Sequence, residues 1–110
     1  MKEKRQYIRV GTSTPVLIKQ EGEDVYGLIV DISIHGMGVV IPHAFEVGDH
    51  VDTDFQLGDD EIFVKGEIVN KRGIGEVTVY GIEFKSPEII ETHYIARKYQ
   101  KHFQNRLQYG

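Results

Sequence analysis

Six short runs of β-type residues follow one another, all but one of the breaks between them turn-length: Pro15–Gln20, Val25–Ile34, Met37–Ile41, Val51–Leu57, Ile62–Lys71 and Glu76–Phe84. This spacing constrains the fold more than any other feature of the chain, because hairpins are the economical way to join strands so close in sequence. Breaks such as Glu21-Gly22-Glu23-Asp24, Gly58-Asp59-Asp60 and Arg72-Gly73-Ile74-Gly75 supply glycine or aspartate where a tight turn needs positive φ. The expected fold is all-β, an antiparallel barrel or sandwich, in a chain of 110 residues that has room for one core.

Alternation is clearest in the second run. Leu28, Val30, Ile32 and Ile34 fall on one strand face and are assigned to the core, which leaves Asp31, Ser33 and His35 together on an outward face. From Pro87 the period changes: Ile90, Tyr94, Ile95, Tyr99, Phe103 and Leu107 form the apolar stripe of an amphipathic helix. Ser86 reads as its N-cap and Pro87 as its first helical residue, and the helix is expected to pack over one end of the β-structure, with a surplus apolar edge able to dock a partner. The chain thus divides into an arginine-bearing, flexible arm over 1–13, a β-domain over 14–85 and a helix of the same domain over 86–110.

Composition excludes several functions. Hydrophobic residues make up 40% and charged residues 27%, as in a globular protein. Without cysteine there are no disulfides, thiolate metal sites or thiol nucleophiles, and a reducing cytoplasm is the expected location. No apolar stretch reaches the roughly 20 residues needed to cross a bilayer, so no membrane insertion is expected. A net charge of −4 argues against a broad basic face for long nucleic acid. Against that acidic whole, Lys2, Lys4, Arg5 and Arg9 concentrate positive charge near the start, where a small anion can be held.

Two patterns carry chemistry. Arg5-Gln6-Tyr7-Ile8-Arg9 offers two guanidinium forks suited to phosphate oxygens and to the acceptor edge of guanine, and in an extended segment they lie on one side about 13 Å apart. Asp31-Ile32-Ser33-Ile34-His35-Gly36 offers a carboxylate for the guanine N1 and N2 donors, a hydroxyl for ribose or phosphate, and a glycine where backbone can approach a ligand. Alone, the first pattern is often a solvated basic tail, and the second, a rarer string, can be a capped turn; together they read as a bipartite site for a guanine nucleotide.

These residues resemble the PilZ domain family, bacterial receptors for the second messenger cyclic di-GMP. The likeness rests on Arg5 and Arg9 as an Arg-x-x-x-Arg segment before the first strand, on Asp31, Ser33 and Gly36 as an Asp-x-Ser-x-x-Gly element after the second, and on Gly81-Ile82-Glu83-Phe84 before a C-terminal helix. It implies a six-stranded antiparallel β-barrel with a C-terminal helix, whose arginine arm closes over the nucleotide. Arg5 and Arg9 would contact guanine and phosphate, Asp31 the guanine edge and Ser33 the phosphate or sugar, while Gly36 shapes the turn. Lys4 occupies a position that varies in the family and influences whether one ligand or a stacked pair binds; a further cation there favours the pair. The resemblance also implies a downstream protein partner of unspecified identity, with a ligand-free interaction module of a pilus or flagellar system as the alternative.

The remaining candidates add little. The histidines show no metal-ligand spacing, and only His35, inside the second pattern, is placed to stack on a base. No catalytic triad or phosphate loop can be assigned, so no catalytic residue, cofactor or metal is expected and binding is the activity. Lys71 and Arg72 read first as a solvated hairpin end and second as a positive group for the ligand cleft.

Overall fold

The structure, a computed structural model, describes residues 10–92. Six strands, β1 (Val10–Gln20), β2 (Glu23–Ile32), β3 (Gly36–Val40), β4 (His50–Leu57), β5 (Asp60–Ile74) and β6 (Val77–Phe84), form a closed barrel in the order β1-β2-β3-β6-β5-β4. Every pairing is antiparallel, and β1 with β4 closes the ring through Val16–Lys19 against Asp52–Phe55. The expected six-stranded barrel is therefore the observed one.

Local chemistry makes the hairpins. Gln20 pairs with Glu23 across a two-residue turn in which Glu21 and Gly22 both have positive φ, 50° and 85°, as a type I′ connection requires. β4–β5 and β5–β6 turn on Gly58 and Gly75, also at positive φ. Inward residues of all six strands, Ile18, Ile29, Val39, Phe55, Ile68 and Ile82 among them, meet in one core. Two polar side chains inside it are satisfied. Thr53 donates its hydroxyl to the Val64 carbonyl at 2.7 Å; the Tyr80 hydroxyl donates to the His43 carbonyl at 2.8 Å and accepts from the Phe45 amide at 3.2 Å, pinning the β3–β4 connection to the barrel. A helix, α1, begins at Pro87 and is described over 87–92; Ile90, fully buried, joins the barrel core. The rest of the expected apolar stripe, from Tyr94 to Leu107, lies outside the described residues.

Two expectations are corrected. Residues 10–13 belong to β1 and not to the arm: Val10 pairs with Ile32 and Gly11 with Asp31, across a register shift before Thr14. Their polarity suggested a linker, but the Thr12 and Thr14 hydroxyls bond each other at 2.6 Å and β-branched threonine suits a strand. The faces of β2 also differ from the alternation. Ile29 is 1% exposed and Leu28 45%, because a bulge between Ile29 and Asp31 inserts Val30 as an extra residue opposite β3. Before a bulge, every side chain lies on the face opposite to the one that uninterrupted alternation assigns. Ile32, beyond it, is buried as expected.

Candidate functional site

The bulge in β2 aims Asp31 sideways over the sheet. Asp31 pairs with Gly11 on one side and Gly38 on the other, and its Oδ1 accepts the Gly38 amide at 3.0 Å. The carboxylate therefore lies over Gly38, where a Cβ would stand 2.9 Å from Oδ1. Sheet pairing continues from Gly38 to Gly81 on β6 and from Gly81 to Asn70 on β5. A further register shift, between Ile68 and Asn70, sets the Asn70 carboxamide over Gly81, all three of its terminal atoms within 2.9 Å of the position a Cβ would take. The outer face of the barrel thus carries a trough floored by two paired glycines, with a carboxylate leaning in from one side and a carboxamide from the other.

Ser33 does not share the face of Asp31. It is 3% exposed, in the turn after β2, where its amide donates to the Gly36 carbonyl at 2.8 Å and its hydroxyl reaches the same oxygen at 3.4 Å. Gly36 is buried as well, and a Cβ there would collide with the carbonyl of Ile82, so close approach to β6 is what demands glycine. His35 is exposed at the tip, its carbonyl accepting the Phe84 amide at 2.8 Å. The expectation of Asp31, Ser33 and His35 on one surface is corrected: Asp31 lies near the end of β2 and His35 at the tip of the following turn, which Ser33 and Gly36 hold from within. Lys4, Arg5 and Arg9 lie outside the described residues.

Of the two cations near the end of β5, Lys71 is engaged away from the trough, with the Phe45 carbonyl at 3.3 Å and the Glu46 carboxylate at 3.7 Å. Arg72, paired with Val79, shares the face of Asn70. Gly38, Gly81 and Asn70 were given no role from sequence; glycine inside two strand runs was the available signal of a bulge or a close approach. Among the described residues, no three histidine or acidic side chains come near enough to hold a metal ion, and no helix is long and apolar enough to cross a membrane. Elsewhere on the barrel, a shallow depression of about 370 Å³ lies against Pro15, Leu17, Tyr26, Asp54 and Glu61. A hydrogen bond with Asp54, and the negative charge of that neighbour, push the Glu61 carboxyl above its usual range.

A closed antiparallel barrel with a polar turn at one strand end and a glycine-floored trough beside it defines a small β-barrel domain with a candidate site on its outer wall. The family model of the PilZ domain matches residues 3–100, and the chain belongs to the PilZ domain family. Among solved structures it is similar to the Bacillus subtilis inhibitor of motility, MotI/DgrA, with a TM-score of 0.70 and 21% identity over 88% of this chain and 52% of that one. It is also similar to the PilZ domain with c-di-GMP of YcgR from Escherichia coli, with a TM-score of 0.61 and 14% identity over 88% of this chain and 97% of that one. An uncharacterized protein of Aquifex aeolicus is 38% identical over 66 residues, 59% of this chain and 32% of that protein. The chain therefore spans about a third of that relative's length and about half of the inhibitor of motility.

Proposed function

We propose that this domain is a receptor for cyclic di-GMP that binds without turning its ligand over, and that the nucleotide bridges the Arg5–Arg9 segment and the Asp31 turn. The observation that carries this reading is the placement of Asp31. It is held over a glycine beside β1, and β1 is the strand into which the arginine segment runs. Arg9 is one peptide from Val10, which pairs with Ile32, and five extended residues span no more than about 17 Å, so chain connectivity permits both arginines to reach a ligand held at Asp31. Family membership, and the c-di-GMP complexes of YcgR and of MrkH from Klebsiella pneumoniae that share this fold, support the ligand's identity.

In this arrangement Asp31 accepts from guanine N1 and N2, Arg5 and Arg9 hold phosphate and the acceptor edge, and His35 stacks at the rim, while Ser33 and Gly36 fix the turn. Lys4 adds a cation that suits a stacked pair of nucleotides, and a downstream protein reads the bound state in the cytoplasm. Isothermal titration with cyclic di-GMP beside GTP and cyclic di-AMP tests the reading. Cyclic di-GMP alone is expected to bind, at two per domain, and Arg5→Ala or Arg9→Ala is expected to weaken it by ~10-fold to 150-fold. Wild-type affinity in both variants would reject the arginine assignment, and one ligand per domain would reject the stacked pair.

A further inference from the structure

We propose that Asn70 is a guanine-specificity residue that completes the site from the far side of the trough, an inference that rests on the cyclic di-GMP reading above. Four residues stand in one line across the sheet: Asp31, Gly38, Gly81 and Asn70. The outer two sit next to bulges, at Val30 on β2 and Val69 on β5, and the inner two lack side chains. Bulges re-aim side chains, and here each turns a polar group inward over the neighbouring glycine. Any larger residue at either glycine would displace that group, since the Asp31 carboxylate and the Asn70 carboxamide occupy the space a Cβ would need.

Paired residues on adjacent antiparallel strands are about 5 Å apart, so the carboxylate over Gly38 and the carboxamide over Gly81 stand side by side, close enough to read neighbouring groups on one edge of a single guanine. On one edge guanine presents donors at N2 and N1 and, next to N1, an acceptor at O6. A carboxylate can only accept, whereas a carboxamide carries two N–H donors. With Asp31 on N1 and N2, the Asn70 NH2 meets O6. Among the described residues that carboxamide makes no hydrogen bond of its own, so its donors are not committed elsewhere. Adenine, with an amino group where guanine has O6 and no proton on N1, satisfies neither group in this orientation.

Titration calorimetry with cyclic di-GMP on the wild-type chain and on Asp31→Ala, Asn70→Ala and Asn70→Asp tests the assignment, with thermal unfolding of each variant as the check on folding. Loss of one neutral hydrogen bond per base is expected to weaken Asn70→Ala by roughly 3-fold to 10-fold. Asn70→Asp keeps the shape over Gly81 but turns an acceptor toward O6, and is expected to bind at least about 10-fold more weakly. In wild type, the Asn70 side-chain amide signals in a 15N-correlated NMR spectrum should move on titration. If wild type binds and Asp31→Ala weakens it while both Asn70 variants keep wild-type affinity, Asn70 only fills space and the inference is overturned, with the receptor reading intact. If wild type does not bind cyclic di-GMP at all, the receptor reading fails and this one fails with it.

Discussion

Gly36 shows how a residue of a ligand motif can be required by packing. Its buried position against the Ile82 carbonyl leaves no room for a methyl group, so Gly36→Ala is expected to cost about 1–3 kcal/mol of stability, read as a lower urea midpoint. Binding by the fraction that remains folded should be little changed, which separates this role from ligand contact. Asp31 combines both roles, since its Oδ1 holds the Gly38 amide while the carboxylate borders the trough. Asp31→Ala should therefore lose affinity for cyclic di-GMP and also lose about 1 kcal/mol of stability, the worth of one hydrogen bond, measured by denaturant titration beside calorimetry.

At the level of elements, the bulges at Val30 and Val69 turn a regular barrel wall into a shaped surface, and charge pairs on β4, β5 and the end of β6 act on the response to pH. On β4 and β5, Asp54 raises the proton affinity of the Glu61 carboxyl in the folded state. A carboxyl whose folded pKa is raised costs stability at pH values above that pKa, and the cost disappears as acid protonates it. Glu61→Gln is accordingly expected to raise the melting temperature at pH 7 and to leave it unchanged near pH 4, by differential scanning calorimetry. Glu67 behaves in the opposite sense. Lys85, 2.7 Å away, holds its carboxyl below the ordinary 4.5, so that pair contributes above pH 4.5 and its contribution is lost as pH falls through the lowered pKa. Lys85→Met should remove this part of the acid transition.

For the whole molecule, closure between β1 and β4 removes sheet edges, and α1 joins the barrel core through Ile90. Because Ile90 is fully buried among residues of the strands, Ile90→Ala should cost about 2–5 kcal/mol, with urea unfolding as the measure. A small barrel has little core in reserve, so this variant is expected to melt in one transition at a lower temperature, with no separate loss of the helix.

Strand number, hairpin connections, the helix start at Pro87 and the two motifs were legible in the sequence, because turn chemistry and β-propensity act through residues near one another in the chain. The register within β2 and β5 was not, since a bulge is fixed by the partner strand and reverses the faces that simple alternation assigns. For the same reason the sequence named Asp31, Ser33 and Gly36 as a group but could not divide them into one surface carboxylate and two buried turn residues. Asn70 and the paired glycines Gly38 and Gly81 are far from Asp31 along the chain, and only closure of the barrel through β3 and β6 places them in one line. Local chemistry decided the strands and turns; pairing between distant strands decided which side chains meet.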